Sequence, residues 1–112
     1  MKRATAIVIY TTEYDKDGNQ YNCLVNLSVV TRENHLVTLA LYSKDDIIHH
    51  KMYKYYAWHH MYDDILSIIR TNGYYLSSYN NFGRTWYDIQ FICYNDPIEI
   101  KRYSHTAGIN NR

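Results

Sequence analysis

Cysteine, proline and phenylalanine are scarce in this chain, and neither sign of charge prevails. The two cysteines, Cys23 and Cys93, lie far apart and match no CxxC pattern, which removes zinc-ribbon and thioredoxin-type readings. Each falls on an apolar alternation and is expected to serve as a small buried hydrophobe, not as half of a disulfide. Twelve basic and 11 acidic side chains leave a net charge of +1. That balance gives no electrostatic basis for wrapping duplex DNA or for mimicking its phosphates.

No apolar run approaches the roughly 20 residues needed to cross a bilayer. Residues 1–10 hold two basic residues and a short apolar run, without the longer core and cleavage site of a secretory signal. They read as a first strand, and the expected location is the cytoplasm of the host cell. Asn26-Leu27-Ser28 is a glycosylation sequon by letter only. No GxSxG, HExxH, P-loop or GxGxxG pattern occurs.

What the chain has in quantity is tyrosine, 14 of its 112 residues, against two phenylalanines. An AT-rich genome accounts for much of such an excess. So many phenols cannot all be buried with partners, however, and exposed tyrosine makes a good contact surface.

Ser43 to Asn72 is the one long stretch with helical periodicity. Ile47, Ile48, Tyr55, Trp58, Tyr62, Ile65, Leu66, Ile68 and Ile69 share an apolar face. Asp45, His49, Tyr56, His60, Asp63, Asp64, Ser67 and Thr71 lie opposite. Ser43 with Asp46 resembles a capping box, and Gly73 can close the helix in the left-handed conformation. A continuous helix would be a rod of about 43 Å at 1.5 Å per residue. Lys51 interrupts its apolar face, so a break is expected between about His50 and Tyr55.

Around this stretch the period is two. Ala4–Tyr14, Gln20–Thr31 and Leu36–Tyr42 read as strands joined by turns at Asp15–Asn19 and Arg32–His35. In the second strand Tyr21, Cys23, Val25, Leu27 and Val29 are expected to face one way, and Asn22, Asn26 and Ser28 the other. The third strand is apolar on both faces. After the helix come strands at Tyr74–Tyr79, Arg84–Tyr94 and Ile98–Tyr103. A turn at Asn80-Asn81-Phe82-Gly83 and a break at Asn95-Asp96-Pro97 separate them. Residues 105–112 are expected to be a frayed tail. The expectation is one α+β domain over residues 1–112, in the order βββαβββ. An antiparallel or mixed sheet of about six strands would carry one main amphipathic helix.

Three constellations bear on function. His49-His50 and His59-His60 suggest a metal site, but His49 and His60 stand roughly 16 Å apart along a helix, and no three ligands converge. A metal-dependent enzyme using the His/Asp helix face is therefore the third reading, and neither metal nor cofactor is expected. Asp45-Asp46 and Asp63-Asp64 fit the polar face of a helix. Aromatic and basic residues interleave around one hairpin, with Lys101, Arg102 and Tyr103 on the adjoining strand.

Within that hairpin, Tyr75, Tyr79, Phe82, Arg84 and Trp86 are the expected partner-binding residues, since aromatic and Arg side chains anchor interfaces. The same types stack on single-stranded bases, which makes a single-stranded nucleic-acid or nucleotide binder the second reading. The first reading is a small non-enzymatic protein that inhibits or modulates a larger protein by direct contact. Small phage-encoded inhibitors of host defence, of the anti-CRISPR kind, share that general character. A protein partner is thus expected, duplex DNA and membrane are not, and a homodimer is left open.

Overall fold

The computed structural model describes residues 1–43, 45–46, 53–95, 100–106 and 109–110, with side chains described through residue 95. Its elements are β1 (Lys2–Tyr14), β2 (Gln20–Thr31), β3 (Leu36–Leu41), β4 (Lys54–Tyr55), α1 (Trp58–Thr71), β5 (Tyr74–Leu76), β6 (Ser78–Asn81), β7 (Arg84–Cys93), β8 (Ile100–Thr106) and β9 (Ile109–Asn110). All strands join one sheet along the path β3-β2-β1-β7-β8-β9, with β4 on β2, β5 on β1 and β6 on β7. The α+β class is as expected, and the sheet is mixed. An antiparallel meander, β1-β2-β3, and an antiparallel set, β6-β7-β8-β9, meet where β1 runs parallel to β7.

The turns form for local reasons. The Asp15 carboxylate accepts from the N–H groups of Asp17 (2.9 Å) and Asn19 (2.8 Å), and Gly18 takes φ 81°. At the next turn Asn34 has φ 66°, and Thr31 Oγ1 accepts from the His35 N–H at 3.1 Å. Asn tolerates that left-handed conformation where most residues do not.

Alternation predicts β1 and β7 well. Ala4, Ala6, Val8 and Tyr10 point into the core, as do Ile89, Phe91 and Cys93, with Tyr87 packed against it. In β2 it fails. Ile9 pairs with Asn26 but Tyr10 with Leu24, so Val25 is the extra residue of a β-bulge. The bulge reverses the phase. Leu27 and Val29 are buried as expected, but Leu24 is fully buried too and Asn22 turns inward at 6% exposure, contrary to the expected faces. Cys23 and Cys93 are buried thiols.

The expected helix is broken where the sequence suggested. Ser43 and Asp46 form the reciprocal capping box. The Asp46 N–H donates to Ser43 Oγ (3.1 Å), and the Ser43 N–H to Asp46 Oδ2 (3.3 Å). Ile47, Ile48, His49, His50 and Lys51 lie outside the described residues. Tyr53 then takes φ 64°, and Lys54–Tyr55 pairs with β2 before α1 begins. α1 buries Met61, Tyr62, Ile65 and Ile69, with Trp58, Leu66 and Ile68 partly buried beside them. Trp58 stands edge-on to Tyr10 and Phe91, at centroid distances of 5.2 and 5.3 Å. Asn72 donates from Nδ2 to the Ile68 carbonyl at 2.8 Å, and Gly73 closes the helix at φ 89°.

The single strand expected at Tyr74–Tyr79 is two, because the pairing passes from β1 to β7 at Ser77: its N–H donates to the Ala4 carbonyl at 3.2 Å, and its carbonyl accepts from the Asp88 N–H at 2.8 Å. β5 runs parallel to β1, and β6 runs antiparallel to β7. The turn expected over residues 80–83 narrows to Phe82-Gly83, since Asn80 and Asn81 pair with Thr85 and Arg84. Part of the expected tail is strand, as β8 extends to Thr106 and β9 pairs with it. Among the described residues no helix is long and apolar enough to cross a membrane.

Candidate interaction surface

α1 covers one face of the sheet, and the expected anchors lie on the other. Tyr79 pairs with Trp86 and Asn81 with Arg84. Paired residues share a face, and Tyr87 and Ile89 hold the core side, so Tyr79, Arg84 and Trp86 project outward. Tyr75 pairs with Arg3, between core-facing Tyr74 and Leu76, and projects outward too. Alternation along this segment allows either Tyr75 and Tyr79 or Tyr74 and Leu76 to be buried, but hardly both sets. The register decides: Tyr74 and Leu76 go in, Tyr75 and Tyr79 go out.

Phe82 occupies the apex. With φ 52° at Phe82 and 75° at Gly83, the loop has the two positive φ values of a type I′ turn. Its first position is usually Asn or Gly, and a phenylalanine there is strained. The ring is also 97% exposed, against 61% for Tyr79 and 48% for Tyr75. Arg84 is exposed and Trp86 half-buried. The Trp86 Nε1 is buried without a hydrogen-bond partner among the described residues.

Long-range pairing adds residues that no local pattern marks. Tyr75 lines a cleft of about 250 Å³ with Lys2, Arg3, Thr31, Arg32 and Glu33. Its three cations come from the start of β1 and from the β2–β3 turn. Only the parallel β1–β5 pairing brings them to Tyr75. A second depression, of about 340 Å³, is lined by Gln20, Tyr21, Asn22, Tyr56, Ala57 and Trp58. Beside it the Tyr56 hydroxyl donates to Asp15 Oδ2 at 2.9 Å, and Lys54 Nζ lies 4.2 Å from the Tyr21 ring centre. The Asn19 N–H above all, and then the Tyr56 hydroxyl and the Asp17 N–H, hold the Asp15 carboxyl below the usual carboxylate range.

Among the described residues no three His, Cys, Asp or Glu side chains gather as a metal site would require. His59 and His60 are exposed neighbours with ring centres 4.1 Å apart. The Cys93 thiol donates to Asn95 Oδ1 (3.0 Å) and lies 3.7 Å from Thr12 Oγ1, neither of which is a general base. Tyr55 donates to Asp64 Oδ2 at 2.8 Å, and burial together with that bond pushes its phenol well up, which keeps it protonated.

No protein-family model, curated protein or solved structure matches the chain.

Proposed function

We infer that this is a small non-enzymatic binding protein that contacts a larger protein through the β6–β7 hairpin, and that it modulates or inhibits that partner by covering part of its surface. The observation that carries the reading is Phe82. A left-handed conformation costs a bulky residue about 1–2 kcal/mol, and the exposed ring recovers none of it within the chain. Neither the turn nor the core requires an aromatic there. A partner that covers the ring offsets both the strain and the exposure. Tyr79 and Arg84 extend the same contact, and both are of anchor type.

The test is affinity capture from a lysate of the source organism, followed by titration of the captured protein against variants. Phe82→Asn supplies the residue a type I′ turn favours. Tyr79→Ala removes the adjacent ring. Each should weaken binding by about thirtyfold, the equivalent of a 2 kcal/mol anchor, with the circular dichroism spectrum unchanged. Undiminished affinity of both variants would move the interface away from the hairpin.

The cleft beside Tyr75 supports a second reading, a single-stranded nucleic-acid binder. Three cations and an aromatic ring there could hold a phosphate and stack a base. Fluorescence anisotropy with labelled oligothymidylate separates the two. Micromolar binding with a steep salt slope, reduced by Arg3→Glu, would put nucleic acid ahead of protein.

A further inference from the structure

The composition of β3 does not suit its position. Leu36-Val37-Thr38-Leu39-Ala40-Leu41 is apolar at every residue but one, and from Leu36 to Ser43 there is neither a charge nor a proline. Such a strand belongs in the interior of a sheet. It instead ends the strand path, with no partner on its outer side among the described residues. Edge strands are ordinarily blunted by lysine, proline, bulges or a covering segment. Here a bulge is present: Leu27 pairs with Ala40 but Ser28 with Thr38, which leaves Leu39 as the extra residue.

That bulge has a consequence for shape. Leu36 pairs with Val30 and Leu41 with Asn26, so both leucines emerge on the face away from α1. They are 67% and 69% exposed. They also stand at the two ends of the strand, equally far from its centre.

We propose that a second copy of this chain covers the edge. The two β3 strands pair antiparallel about a twofold axis that sets Thr38 opposite its own counterpart, with Leu39 the extra residue in each copy, so that Leu36 of each copy lies opposite Leu41 of the other. A twofold axis brings each residue near its own counterpart, so charges close to it would repel, and β3 has none. The symmetric placement of the exposed leucines is what self-pairing requires, whereas a foreign strand would impose no such symmetry. The pairing makes one sheet continuous across the dimer. It lies on the opposite side of β1 from the hairpin and does not rest on the binding reading above.

Sedimentation equilibrium over a wide concentration range should give a species of twice 13.5 kDa. The double variant Leu36→Lys, Leu41→Lys should be monomeric at concentrations at least tenfold above the wild-type midpoint, with unchanged circular dichroism. A register test covers the case in which that variant misfolds. A mixture of Leu36→Cys and Leu41→Cys chains should form a disulfide-linked dimer under mild oxidation, because directly opposed Cα atoms stand about 4.5–5.5 Å apart. Each variant alone, and wild type with only its buried Cys23 and Cys93, should not. A wild-type protein that stays monomeric throughout, or crosslinking of Leu36→Cys to itself, would overturn the proposal. So would a dimer that survives the double lysine change while keeping its fold.

Discussion

Phe82 sets stability against contact at a single position. Replacing it with Asn removes a left-handed aromatic and leaves the Asn-Gly pair that type I′ turns favour. The variant should therefore be more stable than the wild type by about 1 kcal/mol, or about 4 °C in Tm, while, on the function proposed above, it binds a partner about thirtyfold more weakly. Thermal melts of the purified variant check the first half of that statement. Asn95 shows a different economy at the same scale. Its Oδ1 accepts from the Thr12 N–H at 3.1 Å and its Nδ2 donates to the Thr12 carbonyl at 2.7 Å. One side-chain amide thus continues the β1–β7 ladder past the end of β7.

α1 allows its buried and half-buried positions to be told apart. Ile65 is fully buried, whereas Leu66 is only partly so. Ile65→Ala should cost about 2–5 kcal/mol and Leu66→Ala about 1–2 kcal/mol, measured by urea denaturation. Equal losses would mean that the helix is rotated from the orientation described. The apolar stripe, the capping box at Ser43 and the glycine stop at Gly73 were legible because each depends on residues within a turn or two of one another. The shared face of Arg84 and Trp86 was legible for the same reason, since alternation along β7 separates Trp86 from Tyr87. The bulge at Val25 was not, because Leu24-Val25-Asn26-Leu27 fits either phase until β1 selects one. Lys2, Arg3 and Arg32 could not be placed beside Tyr75, because parallel pairing across most of the chain leaves no local signal. Met61, fully buried, escaped notice as a flexible side chain at the margin of the stripe.

Across the whole molecule, the tyrosines make the fold sensitive to alkali. Burial raises the phenols of Tyr42, Tyr55 and Tyr62 above the ordinary value of 10.0, aided at Tyr42 by a hydrogen bond with Tyr53 and at Tyr55 by Asp64. A raised folded-state pKa means that the unfolded chain ionises first. The contribution of these groups is intact below pH 10.0 and declines as the pH rises above it. Unfolding midpoints should drop through that range, and Tyr62→Phe should flatten the decline. Tyrosinate absorbance that rises without any loss of stability would contradict this.

The parallel seam acts in time as well as in space. Tyr10 pairs with Cys93, 83 positions later, the same separation as between Thr12 and Asn95. At about 5–20 residues per second, a ribosome needs roughly 4–17 s to make the partner after making β1. The meander β1-β2-β3 emerges first and has the three strands that bare independent stability requires. For those seconds, the strand that will become the middle of the sheet is an open edge on a nascent chain.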